Sequence, residues 1–545
     1  MLVRPWFYAV LLATTWICAH AEDYRTRLVQ DEVIYFLLPD RFANGDPSND
    51  RGGLRGGPLQ TGFDPAAKGF FHGGDLRGLL SQLDYIQQLG ATALWVAPIF
   101  KNKPVQGAPG HESAGYHGYW ITDFTRVDPH FGTGEAFRAL VEAAHGRGLK
   151  VYMDIVVNHT ADVIYYRECT PQACPYRARP EPPYTPVVPR GQEKTKVPDW
   201  LNNPAYYHNR GNSTFTGESI ELGDFAGLDD LMTESPRVLQ GFVDIYGGWI
   251  DRFGVDGFRI DTARHVNSEF LQAFVPAMLA RARARGIPNF HIFGEVYTDS
   301  TDVAALARHT RLHEMPAVLD FAFANAVRET VAGNQGTDLL ARVFADDVLY
   351  EGGADAALQL ATFISNHDQG RFAYFVRAAR PGVTDEEVNR RTVLAHAMLL
   401  TLRGVPVLYY GDEQGFEGAG ADQEARQDMF AHFDREHPLY RAQAELARLR
   451  RSVAALRRGR QIVRGASAEP GLFAVSRIDP DSSLEVVLAF NTSTQATSAQ
   501  ITVNVSSRHF ASLHGRCAAE ATAPGVYSVT LQPLDYIICQ AHGVR

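Results

Sequence analysis

The stretch Gly254-Val255-Asp256-Gly257-Phe258-Arg259-Ile260-Asp261-Thr262-Ala263-Arg264-His265 decides how the rest of the chain is read. It opens as a short apolar β run, Val255 to Ile260, and closes with four polar or charged positions within five residues. Arg259 and Asp261 are two apart, so on a strand both side chains point to the same side. A cation and a carboxylate at the C-terminal end of a strand are costly to hold there unless they pair or serve chemistry. Beside Arg259, Asp261 is expected to have a lowered pKa and to stay ionised at neutral pH, as a nucleophile must. A structural ion pair at a strand end explains the same two residues, and the remainder of the chain decides between the readings.

At 545 residues the chain is too long for one small core, which predicts two or three domains. A hydrophobic content of 45% with 21% charged residues places it among ordinary soluble globular proteins. The net charge of −10, with no basic tract to offset it, argues against nucleic acid as a partner. The 22 Tyr and 31 Phe suit large cores and flat sugar faces equally, so composition does not choose between them.

The N-terminus reads as an export signal over residues 1–21. Arg4 supplies the positive flank, Trp6 to Ile17 the apolar segment, and Ala19-His20-Ala21 a small-x-small cleavage site. The apolar run is too short to span a bilayer comfortably, though an uncleaved anchor is the alternative. The mature chain is then expected to begin near Glu22, in the periplasm or outside the cell. With Cys18 set aside, Cys169, Cys174, Cys517 and Cys539 remain, and an even number in an exported chain suggests two disulfides. Proximity favours Cys169–Cys174 and Cys517–Cys539 out of the three possible pairings. A metal site at Cys169 and Cys174 lacks a nearby histidine to complete it.

Val33 to Leu38 is a continuous apolar run, as expected of a parallel strand buried on both faces. The loop that follows, Asp40 to Asp50, carries oxygen-bearing side chains at short spacing around Gly45. That pattern suits a hard cation such as calcium, and equally a solvated loop of Asx turns. Leu79 to Leu89 has helical periodicity and ends at Gly90, a C′ residue. Thr92 to Val96 reads as a strand, Phe137 to His145 as a helix and Val151 to Val157 as another strand. Pro236 to Phe253 is helical and leads into the strand Val255 to Ile260. Asn289 to Phe293, Ala317 to Phe321, Ala361 to Ser365 and Val405 to Tyr409 supply the remaining strands. Strands alternating with helices predict a parallel sheet, and eight such units predict a closed (β/α)8 TIM barrel.

Two regions depart from the alternation. Residues 160–232 are Pro-rich without periodicity and too long for a loop, so they are expected to form a domain inserted after strand three. The barrel then occupies residues 22–159 and 233–454. Beyond residue 455, Leu472 to Val475, Leu484 to Phe490, Ile501 to Val505 and Tyr536 to Ile538 read as short strands of a separate antiparallel β domain.

In a barrel enzyme the chemistry sits at the C-terminal ends of the strands. Strand three is followed by Asn158-His159, strand four by Asp261, strand five by Glu295, and strand seven by Asn366-His367-Asp368. Each alone has an ordinary structural explanation as a cap or a satisfied core polar group. Three carboxylates, two histidines and an arginine converging on one rim are the equipment for glycoside hydrolysis through an oxocarbenium-like transition state.

The segments Asp154 to His159, Gly257 to Asp261, Gly294-Glu295-Val296 and Phe363 to Asp368 resemble the four signature regions of the α-amylase family, glycoside hydrolase family 13. They fall in that family's order and spacing, and Tyr116 to Trp120 and Gly404 to Glu413 match two further segments. The resemblance covers nearly the whole mature chain. It implies a catalytic barrel, an inserted B domain and a C-terminal β-sandwich. It also implies that Asp261 is the nucleophile, Glu295 the general acid/base, and Asp368 the third carboxylate, acting through the sugar hydroxyls. His159, His367 and Tyr119 would bind the cleaved sugar, Arg259 would keep Asp261 ionised, and Arg264 and His265 would contact the leaving side. Arg371 joins this substrate-binding set. Arg264 departs from the family's usual Lys.

The loop Phe42 to Asp50 resembles the calcium loop of cyclomaltodextrinases, neopullulanases and cyclodextrin glucanotransferases, and Gly73-Gly74-Asp75 matches the other half of that site. The implied Ca²⁺ ligands are Asn44, Asp46, Asn49, Asp50, Asp75 and Gly73. A second family calcium site pairs the equivalent of Asn158 with an aspartate of the inserted domain. Here Leu222 to Asp230 departs from that pattern, with Gly227 near the expected aspartate. The resemblance implies cleavage of α-1,4-glucans such as starch, maltodextrins or cyclodextrins, Thr262 after the nucleophile being more typical of α-1,4 specificity. Transglycosylation through the same intermediate is the near alternative, and a non-catalytic carbohydrate-binding relative the remote one.

Overall fold

The computed structural model describes residues 24–170, 173–420 and 423–542. The export-signal features between Arg4 and Ala21 lie outside the described residues.

Seven parallel strands form the central sheet: β1 Ile34–Leu37, β2 Ala93–Val96, β3 Lys150–Ile155, β4 Gly257–Ile260, β5 His291–Gly294, β6 Ala361–Thr362 and β7 Val405–Tyr409. Their spatial order is β5-β4-β3-β2-β1-β7-β6. Every residue in them is buried, because side chains fill the barrel on one face and helices cover the other. The strand expected at Ala317 to Phe321 is reduced to two parallel bridges, Val318 to Gly294 and Leu319 to Ala361. Those bridges join β5 to β6 and close the ring. Extended chain ends there because Asp320 accepts a hydrogen bond from Phe323 N (3.0 Å) and caps a helix at Phe321–Val327.

The helix α1, Gly134–Gly146, and the longer α2, Pro236–Phe253, follow the 3.6-residue pattern. In α2, Val238, Phe242, Ile245, Tyr246, Trp249 and Ile250 face the barrel as one buried stripe. Gly254 ends α2 at φ 66°, its N–H returning to the Ile250 carbonyl, so the chain reverses directly into β4. The helix expected at Leu79 to Leu89 is two helices, Leu76–Ser81 and Leu83–Leu89, the second ending at Gly90 as anticipated.

The segment inserted after β3 folds back on its own entry. His159 and Thr160 pair antiparallel with Asp230 and Asp229, closing the B domain over the barrel rim. The disulfide Cys169–Cys174 lies within it.

The C-terminal unit contains β8 Arg460–Ala466, β9 Leu472–Ile478, β10 Glu485–Asn491, β11 Thr497–Thr502, β12 His509–His514, β13 Val526–Leu531 and β14 Tyr536–His542. Strands β8, β9, β10, β14 and β12 form one antiparallel sheet, and β11 pairs with β13 in a second. Alternation along β9 and β10 divides their side chains between two cores. Phe473, Val475, Val486, Leu488 and Phe490 join the barrel core, while Leu472, Ala474, Val487 and Ala489 pack with Tyr527, Val529 and Leu531 of the second sheet. The result is a sandwich seated on the barrel, and Cys517–Cys539 ties β14 within it. Among the described residues no helix is long and apolar enough to cross a membrane.

Candidate active site

Parallel register builds the floor of the site. Arg259 on β4 lies opposite Asp154 on β3, and Ile260 lies opposite Gly294 on β5. Asp154, Arg259, Asp261 and Glu295 therefore emerge together at the C-terminal rim. Arg259 is fully buried and holds three carboxylates: Asp154 Oδ1 at 2.8 Å, Asp261 Oδ1 at 2.7 Å and Glu295 Oε1 at 2.8 Å. Asp154 Oδ2 accepts from Trp95 Nε1 (3.0 Å) and from the Tyr119 hydroxyl (3.0 Å). Thr262, next to Asp261, sits at φ 45°, a left-handed conformation costly for a β-branched residue. That turn aims its N–H at Glu295 Oε2 (3.0 Å), fixing the second carboxylate relative to the first.

The opposite wall carries Asp368. Arg426 Nη2 donates to Asp368 Oδ1 (3.0 Å), and the His367 ring lies 3.4 Å from its other oxygen. Tyr119 reaches over the floor because Gly118 turns at φ 91°, where a Cβ would fall 2.0 Å from the Pro98 carbonyl oxygen. The Tyr119 hydroxyl is 3.0 Å from His367 Nε2 and their rings stack. Between the walls lies a cleft of about 840 Å³ lined by Asp261, Glu295, Asp368, Tyr119, His159, Arg264, His265 and His367.

Burial sets the electrostatics. It raises Glu295 to about 8, against the pull of Arg259 and reinforced by Asp261 and Asp368. It raises Asp154 to about 7 in the same way. The expectation that Arg259 holds Asp261 below its ordinary range is not met: burial raises Asp261, and Arg259 only offsets part of that. One guanidinium is shared among three carboxylates, so none receives its full charge. Burial lowers His159 and His265 to about 4 and His367 well below the ordinary imidazole value, so all three are neutral at pH 7. Both ring nitrogens of His159 are buried without a well-formed hydrogen bond, the Tyr119 backbone being the protein group close to the ring, which leaves capacity for a bound hydroxyl.

Most residues singled out in the sequence converge here, with two corrections. Arg259 sits beneath the cleft and binds carboxylates rather than lining the substrate space. Arg371 is also fully buried, donating to Gln427 Oε1 (2.7 Å), the Tyr410 carbonyl (2.7 Å) and Asp412 (2.9 Å), away from the cleft lining. Its guanidinium anchors the loop after β7 instead. Arg264 lines the cleft and donates to the Tyr297 carbonyl (3.0 Å); His265 donates to the Ile220 carbonyl (2.8 Å). Sequence reasoning assigned no role to Asp154, although a carboxylate inside an apolar strand signals a buried partner. It also passed over Phe215, Phe225 and Arg426. Phe225 stacks on His159 and Phe215 packs edge-on to His265. These three lie in aperiodic segments, where no local signal marks them.

The loop expected to hold calcium is gathered around Asp75. This buried carboxylate accepts from the backbone N–H of Gly45 (3.2 Å), Asp46 (2.8 Å) and Gly78 (2.7 Å) and from Asn49 Nδ2 (3.2 Å). Its oxygens are thereby engaged in shaping the loop and capping the next helix. Asn49 Oδ1 is buried without a partner, and a Cβ at Gly73 would fall 2.7 Å from Asp50 Oδ1, so Gly73 keeps a cradle open against Asp50. These oxygens fit a hard cation. Among the described residues no three His, Cys, Asp or Glu side chains cluster as a metal centre, so amide and carbonyl oxygens must supply part of any such shell. At the second family position, Asn158 Nδ2 points to Asp230 Oδ1 (3.3 Å), and Asp230 is bound by His208 (2.6 Å).

Residues 36–441 match the family model described as alpha amylase, catalytic domain, and the chain belongs to the α-amylase family. An α-amylase of Streptomyces lividans is 41% identical over 539 residues, covering 90% of this chain and 58% of the relative. The solved α-amylase of Geobacillus thermoleovorans in complex with acarbose is 27% identical at a TM-score of 0.74, covering 95% of this chain and 100% of that one. CldA, a cyclomaltodextrin glucanotransferase with a three-domain ABC distribution, is 27% identical at a TM-score of 0.77, covering 94% and 99%. This chain spans 58%, 31% and 55% of the length of three curated relatives it matches, an α-amylase, a β/α-amylase and a cyclomaltodextrin glucanotransferase.

Proposed function

We propose that the protein is an exported α-glucan hydrolase that cleaves α-1,4-glucosidic bonds by double displacement with retention of configuration. The observation that carries this reading is one guanidinium, Arg259, contacting both Asp261 and Glu295. Two carboxyls held by one guanidinium favour the close spacing of a retaining enzyme, for which a separation of about 5–5.5 Å is expected, over the wider gap that admits the water of an inverting one. Asp261 attacks the anomeric carbon while Glu295 passes its proton to the departing glycosidic oxygen. Glu295, now a carboxylate, takes a proton from water as that water displaces Asp261. Asp368, with the neutral His159 and His367, binds hydroxyls of the sugar being cleaved, and Tyr119 stacks against its ring. The two disulfides support export, and the domain limits read from the sequence belong to this proposal.

Exposed aromatic faces at Phe215 and Tyr297, near Arg264 and His265, favour a second reading in which a sugar hydroxyl replaces water as acceptor. The test is purified enzyme on soluble starch, maltoheptaose and cyclodextrins, with released reducing ends compared against total bonds cleaved. Equal numbers indicate hydrolysis, and fewer reducing ends than bonds indicate transfer. The first product is expected in the α configuration by NMR, and Asp261→Asn should remove nearly all turnover while leaving glucan binding in place. Activity only on isomaltose or sucrose, or an initially β-configured product, overturns the proposal.

One Ca²⁺ in the N-terminal loop is part of the same reading. Asn49, Asp50 and the Gly73 carbonyl, with Asn44 and Asp46 beside them, would hold it, and Asp75 would orient the backbone around it. Remote from the three carboxylates, it would stabilise the fold and take no part in bond cleavage.

A further inference from the structure

We infer that Arg426 is the positioning residue for the third carboxylate, the group that sets Asp368 against the sugar in the transition state. The inference rests on the reading above, in which Asp368 acts on the substrate. Arg426 has three arms, and each reaches a different part of the wall. Nη2 donates to Asp368 Oδ1 (3.0 Å), Nε to the His367 carbonyl (3.1 Å) and Nη1 to the Tyr116 hydroxyl (3.3 Å). Its side chain is 5% exposed, whereas the Asp368 side chain is 31% exposed at the cleft surface. A rigid buried cation thus grips one oxygen of a partly solvated carboxylate and leaves the other turned towards the His367 ring and the cleft.

The backbone explains why such a grip is needed. Asp368 sits within a tight turn in which Asn366 and Gly370 exchange hydrogen bonds and Asn366 Oδ1 accepts from the Asp368 and Gln369 N–H groups. That turn fixes the main chain but not the Asp368 side-chain torsions. The Asp368 side chain is met by Arg426 and by a His367 ring that is neutral at pH 7. Charge balance points the same way. Arg259 already serves Asp154, Asp261 and Glu295, so Arg426 is the cation paired with the fourth acid of the site. The anchoring at Tyr116 and at the His367 carbonyl makes the guanidinium fork directional, which an ammonium at the same place reproduces only in charge.

A group that positions a transition-state contact affects kcat without a matching change in KM. For Arg426→Gln we expect kcat on maltoheptaose to fall by about 100-fold, the order of loss that a displaced catalytic group produces, with KM within about threefold. Arg426→Lys should recover about tenfold of that loss, since it restores charge but not the fork. The affinity for acarbose, a basic oxocarbenium-like ligand, should fall in parallel with kcat/KM, while maltose binding stays within about threefold. Active-site titration with a fluorinated glucosyl trap normalises each rate to folded enzyme. If the Gln variant does not fold, the Lys variant decides: a roughly tenfold lower kcat at unchanged KM supports the assignment. An unchanged kcat, a loss confined to KM, or acarbose affinity that does not follow kcat/KM overturns it. Inactive wild-type enzyme on every α-glucan would refute the functional reading instead, and leave the same acarbose and maltose titrations to be read on the variants.

Discussion

Glu295 illustrates what a single residue draws from its surroundings. A general acid must hold its proton until the bond breaks, and an ordinary glutamate has lost it by pH 7. Burial between β4 and β5 raises Glu295 to about 8, so it is mostly protonated at neutrality and ionises as pH rises through that value. Activity is therefore expected to fall on the alkaline side with a limb near pH 8, measured as kcat/KM against pH. Asp261 must be ionised, and burial raises it too, so the acid limb should lie above the ordinary aspartate value. Glu295→Gln should abolish glucan turnover yet retain part of the activity on α-glucosyl fluoride, whose leaving group needs no proton, and that residual rate should lack the alkaline limb. An alkaline limb at pH 6 or below would contradict the assignment of Glu295 as acid. The identity of these residues was legible in the sequence, since each follows a predicted strand. Their pKa order was not, because it depends on how one Arg259 is divided among three carboxylates and on how deeply each is buried.

At the scale of elements, the inserted segment depends on a buried cation. Lys196 is 2% exposed, with Nζ at 2.5 Å from Asp229 Oδ2 and over the Tyr207 ring at 4.0 Å. Asp229 also accepts the Val163 and Ile164 N–H groups, so this pair locks the entry of the B domain to its exit beside His159. Close by, His208 is protonated at neutral pH: burial opposes its charge, but Asp230 and Glu234 outweigh it and lift it to about 9. Removing the ammonium alone leaves a buried carboxylate unpaired. Lys196→Met is expected to cost about 3–5 kcal/mol in denaturant unfolding, and Lys196→Met with Asp229→Asn should recover most of it. If the double variant is no more stable than the single, the pair is not what joins these strands. Nothing in the sequence around Lys196 indicated this, because partners 33 residues apart in an aperiodic, Pro-rich stretch leave no pattern. By contrast α2 was read to its end residues, with Pro236 starting the apolar stripe and Gly254 stopping it.

The whole molecule is a barrel whose rim carries the acidic residues, with the sandwich seated on the barrel core and the proposed calcium loop, Phe42 to Asp50, following β1. A cation held there would add stability by linkage, because it would bind the folded loop and not the unfolded chain. Excess chelator is expected to lower the melting temperature by several degrees and elemental analysis to find about one calcium per chain, while activity below the transition changes little. An unchanged melting temperature with no bound metal would remove the loop from the account. The barrel itself closes through the two bridges at Val318 and Leu319, where the sequence suggested a full strand, since the apolar run Ala317 to Leu319 is shared with the cap at Asp320.

Periodicity and strand-end chemistry belong to the chain alone. The alternation of buried strands with helices, the residues that follow each strand and the family signatures were determined by sequence, because each is written in local spacing; proximity only favoured the cysteine pairings that the structure then showed. Tertiary structure decided the rest. It placed Arg371 behind the loop after β7, brought Arg426 from a distant loop onto Asp368, and raised Asp261 where the isolated pair with Arg259 suggested the opposite. The physical reason is common to all three: an arginine's side chain reaches across several elements, and its partners and its desolvation are fixed only when those elements pack.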